Sequence, residues 1–183
     1  MTDRQPTLHL ADAAAVEALL DELAGAIQPH LQATTALVGI LRRGAPLAKL
    51  LAQRLEVAGG RAPEVGELAL KRYSDDLEVL HDRPRLDEDS LDITVHGRHL
   101  ILVDDVLFTG ESMFRAACHL RAAGATRLQT AVLCTRGRPT MPVHADFAGR
   151  RLDVGPGWIV DCTVPPYESA LGITIRAVEA NDS

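Results

Sequence analysis

Short aliphatic runs alternate with segments of helical periodicity along this chain, and this alternation restricts its fold more than any other feature. Residues 36–41 and 100–103 are short apolar runs, as strands buried on both faces of a parallel sheet are, and residues 128–133 are predicted to be the next strand. Between them lie segments whose apolar residues recur at helical spacing. We therefore predict an α/β fold, with a mostly parallel central sheet flanked by helices.

Three helices and several further strands complete this prediction. Helices are expected over residues 12–28, from Pro46 to about residue 59, and over residues 112–123. Further strands are predicted at residues 65–73, 91–95, 158–162 and 171–178. Residues 74–90 are rich in Asp, Glu, Arg and Pro and show no sustained period, so this long loop is predicted to be a lid or to be disordered.

The composition is that of one ordinary globular domain. Of 183 residues, 46% are hydrophobic and 24% are charged, and a single domain commonly holds about 100–200 residues. No run of about 20 apolar residues is present, and the N-terminus lacks the apolar core of a secretory signal. The net charge of −6 argues against a protein that coats nucleic acid through charge alone.

The spacing of the cysteines and histidines predicts neither a metal site nor a disulfide framework. Cys118, Cys134 and Cys162 form no C-x-x-C pair, and the seven histidines form no H-E-x-x-H pattern. Three reduced and mostly buried thiols are typical of a cytoplasmic protein. The expected location is therefore the cytoplasm, with no membrane segment.

Residues 101–112, ILVDDVLFTGES, carry the clearest chemical signal. A buried strand leads into Asp104 and Asp105, then into a turn with Thr109 and Gly110, then into a helix. Ligands of open α/β sheets bind beyond the carboxyl ends of strands, and a helix N-terminus there favours phosphate. Adjacent carboxylates can accept hydrogen bonds from a vicinal diol. This pattern suits a ligand that has both a ribose and a phosphate, although paired acids at a strand end can also be merely solvated.

The same segment resembles the phosphoribosyl-diphosphate (PRPP) signature of type I phosphoribosyltransferases. Within that family the chain is most similar to the PyrR group, whose members are both pyrimidine operon regulators and uracil phosphoribosyltransferases. The segments LVGILRRGAPLAKLLAQRL, RYSDDL, ILVDDVLFTG and LQTAVLCTRGRPTMPVHADFAG agree in order, so the resemblance covers roughly residues 37–149.

The resemblance implies a role for each matching position. Asp104 and Asp105 correspond to acids that hold the ribose hydroxyls and, directly or indirectly, the Mg²⁺ that accompanies PRPP. Together with Arg43 they are the expected catalytic residues, while Arg42, Arg43 and Gly44 correspond to the pyrophosphate loop. The loop around the 5′-phosphate is expected to comprise Val106, Leu107, Phe108, Thr109, Gly110, Glu111 and Ser112.

The resemblance also implies the organisation of the chain. Residues 1–183 are expected to form a single phosphoribosyltransferase domain, with a mobile lid at about residues 73–90 and a small hood and base-side region at about residues 134–183. The lid residues are Arg72, Tyr73 and Ser74, and the base-side residues are Arg136 and Val160. The implied reaction transfers 5-phosphoribose from PRPP to a nucleobase and releases pyrophosphate, with Mg²⁺ as cofactor. A homo-oligomer, a dimer or larger, is usual for the family.

Uracil is the expected base, with UMP as the nucleotide product. Members that act on 6-oxopurines carry an acid directly before the Thr-Gly of the phosphate loop, where this chain has Phe108. Phe108 is expected either to pack beside the base or, preferably, to enter the hydrophobic support of the loop. Two other functions stay open: an RNA-binding regulator with little catalysis, and a transferase for another base such as a 6-oxopurine.

Two departures from the family pattern bear on these alternatives. Glu111-Ser112 stands where the PyrR group has Arg-Thr, which brings a negative charge near the phosphate, at small cost only where Glu111 points to solvent. Arg138-Pro139-Thr140 stands where the group has His-Arg-Glu. Because the second departure removes a basic pair and the net charge is −6, RNA binding is possible but not favoured.

Overall fold

The computed structural model describes residues 7–59, 61–70, 90–155 and 157–178. Nine strands and three α-helices lie within these ranges. The strands are β1 (Thr7–Ala11), β2 (Thr35–Ile40), β3 (Glu64–Ala69), β4 (Ser90–Leu91), β5 (His99–Leu107), β6 (Arg127–Arg136), β7 (Phe147–Leu152), β8 (Trp158–Thr163) and β9 (Gly172–Ala177). The helices are α1 (Ala13–Ile27), α2 (Gly44–Gly59) and α3 (Glu111–Ala122), and a short 3₁₀ turn follows α1.

Six strands form the central sheet in the order β4-β3-β2-β5-β6-β7. Five of them, β3, β2, β5, β6 and β7, run parallel, and β4 pairs antiparallel at one edge. The buried strand β5 shows why both faces are covered: Ile101 and Val103 pack with α1 and α2, whereas Leu100 and Leu102 pack with α3. The predicted α/β fold, a mostly parallel sheet flanked by helices, is confirmed.

A second, smaller sheet of three antiparallel strands, β1-β9-β8, forms the hood. Its apolar residues Val160, Cys162 and Ile173 join the same buried cluster as α1 and α2, so the hood packs on that face of the molecule. Strand β1 was not predicted, because its five residues show no distinctive pattern and are ordered by pairing with β9. The hood therefore combines the two ends of the described chain.

Several predicted boundaries differ from those observed. Strand β5 does not end at Val103 but continues through both acids to Leu107, because it stays paired with β6 along that length. Only Leu91 of the alternating segment 91–95 is in a strand; the Asp92 side chain instead accepts a hydrogen bond from the Glu67 N–H at 2.9 Å. Residues expected in the hood region also extend the central sheet, as the end of β6 and the unpredicted β7.

The expected lid lies almost wholly outside the described residues. Arg72, Tyr73 and Ser74, and residues 73–89 in general, are not described, so the lid stays a prediction. The assignment of residues 1–183 to a single domain also stays a prediction. Among the described helices, none has the length and apolar character needed to cross a membrane.

Candidate active site

A cleft of about 380 Å³ opens at the carboxyl ends of β2 and β5. It brings the loop after β2 together with the end of β5 and the first turn of α3, which lie more than 60 residues further along the chain. The cleft thus contains most of the predicted pyrophosphate loop and both predicted acids. Its lining residues are Ile40, Leu41, Arg42, Arg43, Asp104, Asp105, Val106 and Ser112.

Backbone amides hold both acids in place. One oxygen of Asp104, Oδ1, accepts a hydrogen bond from the Asp105 N–H at 2.9 Å, and Oδ1 of Asp105 accepts one from the Val106 N–H at 2.8 Å. Burial, together with the charge of neighbouring Asp105, raises the pKa of Asp104 well above its ordinary value. The pair therefore favours a cation or a hydrogen-bond donor such as a ribose hydroxyl beside it.

The two glycines that flank the loop after β2, Gly39 and Gly44, lie so close to neighbouring backbone atoms that neither position has room for a side chain. The Leu41–Arg42 peptide is cis. A Cβ atom on Gly39 would lie 2.4 Å from the Gly44 carbonyl oxygen, and a Cβ atom on Gly44 would lie 2.3 Å from the Val103 carbonyl oxygen. Gly44 was predicted, whereas Gly39 was missed, although a glycine inside a strand is a recognised signal of close backbone approach.

The substitution Gly39→Ala tests this close packing. We expect it to lower the free energy of unfolding by about 1–3 kcal/mol, because the added methyl group must push α2 away from β2. Gly25→Ala is the matched control: Gly25 is exposed in α1 with no atom within 4 Å of the new Cβ, so stability should rise by about 0.4–1 kcal/mol. Urea unfolding measures both. A Gly39→Ala protein as stable as the wild type would contradict the packing described.

Arg43 is surrounded by carboxylates from two other parts of the fold. Its Nε and Nη2 donate to Glu168, at 3.2 and 2.7 Å to Oε1, while Nη1 lies 3.6 Å from Asp105 and 3.8 Å from Asp161. These contacts raise the pKa of Arg43, chiefly through the hydrogen bond to Glu168. Asp161 and Glu168 were missed in the sequence, since no local pattern connects them to Arg43.

The turn between β5 and α3 has the shape expected of a phosphate loop. Gly110 adopts a positive φ of 85° directly before α3, a conformation that favours glycine. The carbonyl oxygen of Thr109 accepts hydrogen bonds from the backbone N–H groups of Thr140 and Met141, both at 3.0 Å, so a later loop braces the turn. Leu107 is buried, and Glu111 is exposed, the orientation in which its negative charge costs little.

The surroundings of Phe108 and Val160 differ from those expected, and the base-side role of Arg136 stays a prediction. Phe108 is 44% exposed instead of buried in the support of its loop, and the Arg136 guanidinium stacks 3.8 Å from the centre of its ring. Arg136 itself is buried at the end of β6, and burial lowers its pKa. Val160 was expected near a loop but lies within β8, with its side chain in the hydrophobic core. The stacking is a cation–π contact, which stabilises the Phe108 ring in its half-exposed position.

Residues 8–170 match the phosphoribosyl transferase domain family. Among curated relatives, the bifunctional protein PyrR of Acetivibrio thermocellus is 33% identical over 145 residues, which cover 79% of each chain. The bifunctional protein PyrR of Clostridium novyi is 37% identical over 141 residues, 76% of this chain and 79% of that one. That of Elusimicrobium minutum is 32% identical over 166 residues, 89% and 92% of the two chains.

Solved structures show the same fold at lower sequence identity. A hypoxanthine-guanine phosphoribosyltransferase of Bacillus anthracis superposes with a TM-score of 0.71 at 16% identity, over 96% of this chain and 99% of that chain. A purine phosphoribosyltransferase of Pyrococcus horikoshii superposes with a TM-score of 0.59 at 18% identity, over 76% and 83%. At sequence identities this low, the superposition establishes the architecture alone and leaves the choice of base open.

Proposed function

Because this chain belongs to the phosphoribosyl transferase domain family, we propose that it transfers the 5-phosphoribosyl group of PRPP to uracil, forming UMP and pyrophosphate. The observation that carries the proposal is the cleft in which Arg43, from the loop after β2, faces Asp105 at the end of β5. A cationic loop opposite a carboxylate pair suits a substrate that has a diol and a pyrophosphate on one sugar ring.

The cleft supports one orientation of PRPP. Asp104 and Asp105 would accept hydrogen bonds from the ribose hydroxyls, and the 5′-phosphate would lie at the N-terminus of α3, where N–H groups and the helix dipole favour an anion. Arg42, Arg43 and the backbone at Gly44 would bind the pyrophosphate. In this orientation the C1 atom of the ribose lies between the carboxylates and the arginines.

Catalysis in this site would be electrostatic. The bond from C1 to the pyrophosphate oxygen breaks while a bond from C1 to a base nitrogen forms, and that nitrogen gives up its proton to the leaving pyrophosphate or to solvent. Positive charge therefore develops on the sugar and negative charge on the leaving group. Arg43 would stabilise the leaving pyrophosphate, and the carboxylates would lie beside the cationic ring. Exclusion of water, which could attack the same carbon, would fall to the predicted lid.

The donor set of the cleft fits Mg²⁺ that arrives with its substrate. Among the residues that the structure describes, no cluster of three or more His, Cys, Asp or Glu side chains could hold a metal ion. Mg²⁺ is commonly held by one or two carboxylates together with substrate phosphates, and Asp104 and Asp105 are such carboxylates. When bound there, the ion would supply further neutralisation of the pyrophosphate charge.

The choice of uracil is supported by Phe108. The position before Thr109 has a side chain that cannot exchange a proton, which is unfavourable for a purine substrate. Arg136, stacked on Phe108, would place a cation near a carbonyl oxygen of the base, a contact that uracil and the 6-oxopurines could both make. RNA binding, the alternative role, is less well supported by a chain whose net charge is −6.

The test is nucleotide formation from PRPP and uracil. We expect UMP and pyrophosphate in equal amounts in the presence of MgCl₂, loss of both products when EDTA removes the metal, and recovery when MgCl₂ is restored. Separation of radiolabelled uracil from UMP measures the reaction. Calorimetric binding of PRPP with no product from any base would leave a PRPP-binding protein and refute the transferase.

A further inference from the structure

The connection between β8 and β9, residues 164–171, contacts both arginines of the loop after β2. The Arg42 guanidinium lies 4.9 Å from the centre of the Tyr167 ring, and the Arg43 guanidinium is bound by the Glu168 carboxylate. The hood and the pyrophosphate loop therefore meet directly beside the cleft. Neither Tyr167 nor Glu168 lines the cleft itself.

Glu168 binds the Nε and Nη2 edge of the Arg43 guanidinium, whereas the remaining nitrogen, Nη1, faces Asp105. Glu168 Oε1 accepts from Nε at 3.2 Å and from Nη2 at 2.7 Å, and Oε2 also lies 3.3 Å from Nε. Oε2 accepts in addition from the Val164 N–H at 2.7 Å, so the carboxylate is anchored to the backbone of its own turn. Nη1, on the opposite edge, lies 3.6 Å from the Asp105 carboxylate.

We propose that Glu168 is a positioning residue for the transfer reaction: it holds the Nε and Nη2 edge of Arg43 so that Nη1 is presented to the pyrophosphate of PRPP beside Asp105. This inference rests on the proposed function of Arg43. Arginine is a long side chain with many rotamers, and a guanidinium that is already oriented loses less freedom when its ligand binds. The backbone anchor at Val164 makes Glu168 a rigid support.

Two effects of Glu168 oppose each other, and this opposition makes the proposal testable. As a negative charge beside Arg43, Glu168 weakens the attraction of the site for an anionic substrate. As an anchored hydrogen-bond acceptor, it orients the cation that binds that substrate. The two groups affect each other directly: the hydrogen bond between them lowers the pKa of Glu168 and raises the pKa of Arg43. The proposal requires the orienting effect to be the larger.

Glu168→Gln is the principal variant, because an amide has a single acceptor oxygen and cannot accept from both the Val164 N–H and the Nε and Nη2 edge of Arg43, and because the negative charge is lost. We expect the KM for PRPP and the inhibition constant of pyrophosphate to rise together by about tenfold, a loss common for groups that orient a binding residue. The KM for the base should stay unchanged, and kcat should change less than the KM for PRPP. If Glu168 served only to stabilise the hood, the Glu168→Gln substitution would also change the KM for the base.

Asp161→Asn is the matched control, since Asp161 also faces Arg43 but at 3.8 Å from Nη1 and without a bidentate contact. Removing its charge should leave the KM for PRPP unchanged or lower it. A Glu168→Gln protein whose KM for PRPP is unchanged or lower would overturn the proposal, because charge removal would then outweigh orientation.

A double-mutant cycle shows whether Glu168 acts through Arg43. In the Arg43→Lys background, calorimetric PRPP affinity should change less than twofold on adding Glu168→Gln, because lysine cannot make the bidentate contact. An equal loss in both backgrounds would refute a positioning role. Absence of PRPP binding by the wild-type protein would instead refute the proposed function, so the two failures are distinguishable.

Discussion

The double substitution Asp104→Asn/Asp105→Asn should weaken PRPP binding and severely reduce turnover while the protein stays folded. We expect kcat/KM to fall by a factor on the order of 10²–10³ or more, because the two substitutions remove the carboxylates that would lie beside the developing cation and hold Mg²⁺. The fold should not suffer: burial raises the pKa of Asp104, so a neutral side chain of the same shape removes an unfavourable charge. Asparagine Oδ1 can still accept the backbone hydrogen bonds that each aspartate accepts.

Steady-state kinetics, PRPP calorimetry and thermal unfolding check the three parts of this prediction. Glu17→Gln/Asp21→Asn is the matched control, since it also removes two carboxylates, here on α1, where they pair with Arg54 away from the cleft. Its turnover should equal that of the wild type. Unchanged PRPP affinity in the Asp104→Asn/Asp105→Asn protein would refute the assignment of the ribose site.

Uracil should exceed hypoxanthine, guanine and xanthine in kcat/KM by about 10²–10⁴, the range commonly contributed by a general acid or base. The physical reason is the side chain before Thr109: Phe108 cannot exchange a proton with a purine ring, and it is exposed at the base-side end of the loop, under the Arg136 guanidinium. Assays with each base at saturating PRPP and MgCl₂ measure the ratio.

Phe108→Leu separates the missing acid from the aromatic ring. Leucine also lacks a proton to exchange, so the preference for uracil should be retained even though the stacking with Arg136 is lost. A purine with a higher kcat/KM than uracil in the wild-type protein would overturn the assignment of the base and leave phosphoribosyl transfer intact.

Much of the central sheet could be predicted because its signals are local. A strand buried on both faces is mostly aliphatic, and residues 36–41 and 100–103 show this on their own. The strands β1 and β7 were missed for a different reason. They are short, lie at the edges of their sheets, and are strands because of the neighbours with which they pair.

The chemistry of the cleft was partly local as well. Asp104, Asp105 and the Thr109-Gly110 turn are adjacent in the chain, so the sequence alone placed acids, turn and helix N-terminus in one site. The extent of β5 was not local, because pairing with β6 carries the strand through both acids. The stacking of Phe108 on Arg136, a residue at the end of β6, was not local either.

The sequence by itself determined the α/β architecture and the acid-bearing phosphate loop, because both depend on residues within one turn or strand of each other. Only the tertiary structure decided how Arg43 is held. Its partner Glu168 is 125 positions away. The two meet because the hood packs into the same buried apolar cluster as α1 and α2, on one face of the central sheet. Such a contact depends on the packing of whole elements, and no short pattern in the chain records it.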